Sequence, residues 1–186
     1  MQWKEHFNLK GKHAVLAPSN HSWTNYDDDK LISVYSGHLR VLRGTELHKW
    51  AEDTIRLGIT QPRVKKTLYM YVNDAIKYKM RVEQPLAYDE KFCFGTADAI
   101  DISGNFVRIH DLKTGDTPAD IDQLMKYAAL FCLDYGYDPS QLIFELRIYQ
   151  TDQIVIYNPT TNEIVDMINR IVHMVDVLQR YDRGEL

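Results

Sequence analysis

The sequence predicts an α/β fold, a central mixed sheet with helices packed on both sides. Three observations carry that reading. Apolar residues recur at helical spacing early and late in the chain, and the middle changes to a strand period. The resulting element order is ααβββαββα. With 45% apolar and 26% charged residues in 186 positions, the composition is that of one folded domain.

Residues 1 to about 43 read as an irregular segment, with Ala17-Pro18-Ser19-Asn20 and Asp27-Asp28-Asp29 as turn and loop material. Gly44–Leu57 is helical, because Leu47, Trp50, Ala51, Thr54 and Ile55 recur at spacings of three and four and Gly58 supplies a stop. A second helix is expected from Arg63 to Lys79, with Leu68, Tyr71, Val72, Ala75 and Ile76 on its inner face. Arg81–Tyr88, Phe92–Ile102 and Phe106–Thr114 read as strands, the last two joined by a tight turn at Ser103-Gly104-Asn105. Thr117-Pro118-Ala119-Asp120 reads as the capped start of a helix that continues through Ile121, Leu124, Met125, Ala128, Ala129 and Cys132 to Tyr135. Leu142–Gln150 and Ile154–Tyr157 are further strands, and an amphipathic helix closes the chain over about 160–181. No repeat or linker marks a boundary, so a single domain is expected: the irregular segment to 43, a core over about 44–158, and the closing helix.

Two cysteines, Cys93 and Cys132, are too few for a disulfide scaffold and do not form a CxxC pair. The sequence holds no apolar run long enough to span a bilayer, and MQWKEHFNLKGK is no signal peptide. A cytoplasmic protein without a membrane partner is the expectation. The net charge of −4 argues against a nucleic-acid partner only as a total. Residues 1–93 carry 15 basic against 11 acidic side chains, and residues 94–186 carry 7 against 15. The basic half concentrates its charge in Arg63-Val64-Lys65-Lys66 and Lys77-Tyr78-Lys79-Met80-Arg81. By charge pattern alone these read as a solvated helix face and, with a nucleic-acid partner, offer Arg63, Lys65, Lys66, Lys77, Lys79 and Arg81 as contacts to phosphates.

Residues with chemistry gather around the central strands. Asp111 and Lys113, two apart on a strand, point to one side, and the hairpin turning at Ser103–Asn105 lays Asp98 on the opposite arm near them. Two close carboxylates repel, and oxygen ligands of this kind suit Mg²⁺ or Mn²⁺. A neighbouring lysine suits orientation of a water or neutralisation of an anionic transition state. Upstream, Glu52 follows His48 by four residues on one helix face; downstream, Gln123 and Tyr127 share a face in the same way. Either hydrogen-bonding group of the latter pair suits a phosphate. Each of these features alone is common without function.

In this order, Gly44…His48, Gly95…Asp98, Asp111-Leu112-Lys113 and Gln123…Tyr127 resemble the GxxxH, GxxD, DxK and QxxxY motifs of the PD-(D/E)XK nuclease superfamily, in its RecB-type exonuclease branch. The matching stretch covers about residues 44–127. The resemblance implies a restriction-endonuclease-like core and a Mg²⁺- or Mn²⁺-dependent deoxyribonuclease acting on DNA in recombination, repair or phage DNA processing. It implies metal ligation by His48, Asp98, Asp111 and the main-chain carbonyl of Leu112. It implies that Lys113 positions or activates the attacking water and that Gln123 and Tyr127 support the site. Glu52 matches no motif position and stands as a supporting candidate behind the ligands. Ala97 occupies the position of the family's proline. Two cysteines cannot supply the four ligands of the iron–sulfur cluster that some members carry, so no cluster is expected. No GxxxxGK[ST] motif occurs, so a helicase would be a separate chain. Resemblance to short phage-encoded recombination nucleases implies a bacterial or phage-infected host cell, with a recombinase, a single-strand-binding protein or a separate helicase as partner. The alternatives are a structure-specific endonuclease or junction resolvase on the same fold, and a non-catalytic DNA-binding accessory protein.

Overall fold

The computed structural model describes residues 5–9, 11–20 and 22–186, so the first residues of the polar N-terminal stretch lie outside it. Contacts divide the chain into residues 1–46 and 47–186, a division that falls inside the first helix.

In the first unit, single 3₁₀ turns at Phe7–Leu9 and Trp23–Asn25 precede α1, which spans Asp28–Arg56. The Trp23 indole donates to the Ala17 carbonyl at 3.0 Å. The start of α1 corrects the expectation of an irregular segment to about residue 43. The acidic triplet is a helix start: Asp27 Oδ1 accepts the Lys30 amide at 2.8 Å, and Asp28 and Asp29 fill the first turn. There the unpaired amides and the helix dipole favour negative charge.

The second unit begins with the last turns of α1. Gly58, at φ 68°, closes them: its amide reaches the Ile55 carbonyl at 2.9 Å, and the Ile59 amide reaches Thr54 at 3.0 Å. Helix α2 spans Thr67–Lys77, shorter than expected. Arg63–Lys66 is outside it, because consecutive tight turns after Pro62 take up the amides of Val64 and Lys66. Strands β1 (Arg81–Asp89), β2 (Cys93–Ser103) and β3 (Phe106–Leu112) follow. Gly104, at φ 63°, leads the two-residue loop between Ser103 and Phe106.

Helix α3 spans Asp122–Tyr135, later than the Thr117–Asp120 start that the sequence suggested. The Gln150 side chain explains the delay. It donates to the carbonyls of Gly115 and Thr117 at 2.6 and 2.7 Å and accepts the Ala119 amide at 3.1 Å. The segment's backbone groups are thus bound by a distant side chain rather than by a helical turn. Strands β4 (Ile143–Gln150) and β5 (Gln153–Tyr157) and helix α4 (Thr161–Asp182) complete the unit. Thr160 and Glu163 form a reciprocal capping box at the start of α4.

The five strands lie in chain order in one mixed sheet. All neighbouring pairs are antiparallel except β3 and β4, which run parallel across the α3 crossover. One face carries a core of Ile109, Leu124, Ala128, Phe144, Leu146 and Ile164, under α3 and α4. The other carries Ala51, Tyr71, Val72, Leu112 and Tyr149, under α2 and the last turns of α1. The fold is therefore α/β, a five-stranded mixed sheet flanked by helices. Among the described residues no helix is long and apolar enough to cross a membrane.

Candidate metal centre

Residues two apart on a regular strand share a face. Ala97 and Ala99 of β2 break this rule, for they belong to opposite cores. Across the pair, Val82 and Leu86 of β1 likewise face opposite cores. Between them lies Glu83 at φ 51°, a conformation L side chains adopt at a cost. Both strands are thus irregular at one level, between the pairs Val82↔Ala99 and Gln84↔Ala97. Glu83 and Asp98 occupy that level. On the other side of β2, pairing with β3 stops at Ala99↔His110, and the Leu112 amide donates instead to Asp98 Oδ2 at 2.8 Å.

His48 enters from α1, its Nδ1 3.7 Å from Asp98 Oδ2. One ligand-type atom from each of His48, Glu83 and Asp98 lies within 4.8 Å of the others. Glu83 was absent from the sequence reading. Its type is unremarkable in a strand, and only the irregularity, which sequence does not announce, sets it opposite Asp98.

Asp111 does not join that trio. It is 2% exposed on β3. Its Oδ1 accepts from Lys113 Nζ at 3.0 Å, while Oδ2, ion-paired to the same ammonium, is buried and accepts no hydrogen bond. Lys113 also donates to Gln123 Oε1 at 2.7 Å. β3 ends at Leu112, so Lys113 lies one residue beyond the strand. It lines a cavity of about 210 Å³ with Leu47, Thr67, Gly115 and Thr151.

Two of the separate sequence motifs meet through glycine. A Cβ on Gly95 would stand 3.1 Å from the Tyr127 ring, so the bare glycine leaves room for the tyrosine that follows Gln123 on the next helical turn. Leu112 is buried in the core, and its main-chain amide donates to Asp98. Glu52 is held by its own helix, at 3.1 Å from Lys49 and 2.7 Å from Arg56. Gly44 lies within α1, in the first unit.

Burial pushes the Asp98 carboxyl up to about 6, and the neighbouring Asp111 charge adds to the shift. Burial also raises Asp111, against the lowering pull of Lys113. These groups fit a divalent cation. A buried carboxylate oxygen without a hydrogen bond, a second carboxyl held uncomfortably charged, and a His/Glu/Asp trio form a donor set for a hard or borderline ion. Asp98 therefore disfavours the folded state at neutral pH. Its contribution is most favourable below the usual carboxylate range and is lost as pH rises through about 6. Without divalent ions, Asp98→Asn should raise stability at pH 7 by about 1–3 kcal/mol, and it should abolish the rise in Tm expected of the wild type in Mg²⁺ or Mn²⁺. Thermal melts in EDTA and in each ion check both effects.

The six cations read as phosphate contacts are all exposed, but they form no single stripe. Arg63, Lys65 and Lys77 line one groove of about 640 Å³. Lys79 and Arg81 line another cavity of about 360 Å³. Lys66 lies over the Tyr69 ring, 5.7 Å from its centroid.

No protein-family model matches the chain, and searches of curated proteins and solved structures give no significant match.

Proposed function

We propose that this chain is a metal-dependent deoxyribonuclease with a PD-(D/E)XK-type core, most simply an exonuclease. The observation that carries the reading is Lys113, whose ammonium is held by Asp111 at 3.0 Å and Gln123 at 2.7 Å beside the His48–Glu83–Asp98 trio. Elements far apart in sequence thus converge on one ammonium, the buried Asp111 carboxylate and the partly buried Asp98 carboxylate. His48, Glu83 and Asp98, with Asp111 from the adjoining strand, would hold Mg²⁺ or Mn²⁺. When bound, the ion supplies Lewis-acid polarisation of a phosphodiester oxygen.

The chain's own groups do the rest. An ammonium has three protons; Asp111 and Gln123 take two, and the third is directed to the attacking water or to the phosphate. Water adds to phosphorus, the P–O bond to the leaving sugar oxygen breaks, and the products are a phosphate monoester end and a hydroxyl end. Fixing Lys113 from two sides presets its charge where negative charge develops. The exposed cations around Arg63–Lys66 and Lys77–Arg81 attract the DNA backbone.

Linear and covalently closed circular DNA, incubated with Mg²⁺, Mn²⁺ or EDTA, test the reading. Loss of linear DNA from its ends in either ion, with circles intact and no reaction in EDTA, is expected. Intact linear DNA in both ions defeats it, and nicking of circles moves the activity to an endonuclease.

A further inference from the structure

All four helices end with a left-handed residue. Three use glycine: Gly58 after α1, Gly136 after α3 and Gly184 after α4, at φ 68°, 69° and 71°. Helix α2 uses Lys79, at φ 53°. The hydrogen bonds are of the same type, with the Lys79 amide on the Ile76 carbonyl at 3.1 Å and the Met80 amide on Ala75 at 2.9 Å. A Cβ in this conformation is strained where glycine is not. A strained residue held against an available remedy points to a task for its side chain.

Lys79 lines the 360 Å³ cavity with Arg81, Gln84, Phe131, Tyr135 and Tyr137. Among the described residues neither cation forms an ion pair. The acid in the cavity wall, Asp101, faces Arg108 at 3.8 Å. The aromatic wall is organised: Tyr137 stacks on Phe131 with centroids 5.5 Å apart and planes 9° apart, and Tyr135 lies 5.0 Å from the same ring. Phe131 is buried, whereas Tyr135 and Tyr137 are 54% and 41% exposed. Free cations beside exposed aromatic faces match the chemistry of a single strand, whose phosphates take the charges while a base stacks on a ring.

We infer that this cavity anchors a single-stranded segment of DNA away from the metal centre, with Lys79 and Arg81 on its phosphates and Tyr135 and Tyr137 against its bases. The inference rests on the nuclease reading for its ligand. Helix α3 joins the two places: Gln123 is at its metal-centre end and Tyr135 at the cavity end, about 18 Å along the axis. That length corresponds to about five nucleotides at duplex spacing. The site would grip the strand several nucleotides from the bond being cut and so hold the substrate between turnovers.

Fluorescence anisotropy of a labelled oligothymidylate with the full chain in EDTA separates binding from cleavage. An abasic oligomer of equal length carries the same charge without bases. Wild type is expected to prefer the oligothymidylate. Tyr135→Ala and Tyr137→Ala each lose about tenfold in affinity, while the phenylalanine variants keep it. Lys79→Gly should raise Tm yet weaken binding and reduce the salt slope by about 0.7. Equal binding of the two oligomers overturns the inference. So does wild-type affinity in either alanine variant, or a Lys79→Gly chain that gains stability with its salt slope unchanged. If base-dependent binding appears but no metal supports cleavage, the nuclease reading fails and the strand site stands. If cleavage occurs without dependence on these residues, only the strand site fails.

Discussion

If the chain is the proposed nuclease, Lys113→Ala is expected to lower the rate of DNA hydrolysis by about 10²–10³-fold, with affinity for DNA in EDTA within a few-fold of wild type. The side chain is partly buried and its ammonium is fixed at two points, by Asp111 and Gln123. A preset charge of this kind acts on the charge that develops during reaction more than on the bound ground state. Removing it has a second effect with a defined sign. Lys113 is the main influence lowering Asp111, so the variant's Asp111 carboxyl must titrate higher than in wild type. Apparent Mg²⁺ affinity should therefore fall more at pH 6 than at pH 8. Lys113→Arg keeps the charge but changes its shape, so it should recover the metal-binding profile more fully than the rate. Single-turnover cleavage with saturating ion, alongside melts for foldedness, measures these quantities. Wild-type rates in Lys113→Ala would remove the lysine from the reaction.

The second large expected effect is acid unfolding driven by His110. This residue is fully buried on β3, facing Tyr78 and Tyr149 with Arg108 and Arg147 nearby. Its Nδ1 is 3.3 Å from the Tyr149 hydroxyl, which donates to Asp74 at 2.7 Å, and its Nε2 has no hydrogen-bond partner among the described residues. Burial first, then the charges of Arg147 and Arg108, lower its pKa to about 3. The sign follows from linkage. Below the ordinary histidine range the unfolded chain takes a proton that the folded chain refuses. The stability His110 permits is therefore whole above about pH 6.5 and is lost as pH falls toward 3. The slope is about 1.4 kcal/mol per pH unit across that window. Asp98 acts in the opposite direction between pH 6 and the usual carboxylate range, so it masks part of the loss. Urea midpoints against pH should accordingly fall most steeply for Asp98→Asn. They should flatten when His110→Phe is added to that variant. An unchanged slope in the double variant would place the acid sensitivity elsewhere.

The chain's periodicity was informative because burial imposes it. The three central strands and the amphipathic closing helix follow from apolar spacing and turn residues, which act locally. The errors have equally local causes. Asp27-Asp28-Asp29 reads as loop by composition, yet the same carboxylates serve a helix start once Asp27 reaches the Lys30 amide. Thr117-Pro118 reads as a helix start, yet Gln150, from a distant strand, binds that backbone first.

Of the residues singled out by motif spacing, the structure brings His48 to Asp98 and Lys113 to Asp111 and Gln123, and Gly95 leaves room for Tyr127. Glu83 could not be found this way. Its nearness to Asp98 depends on a left-handed residue and a break in strand alternation, and nothing in a nine-residue strand pattern signals either. Pairing Lys113 with Gln123 and separating Asp111 from the trio are likewise tertiary outcomes, whereas Glu52 meets Lys49 and Arg56 within its own helix. Sequence by itself determined the elements, their order and which residue types could do chemistry, because those depend on near neighbours and on apolar periodicity. Tertiary structure alone decided which oxygens and nitrogens meet, because contacts of a few ångströms are set by strand register, backbone irregularity and distant side chains.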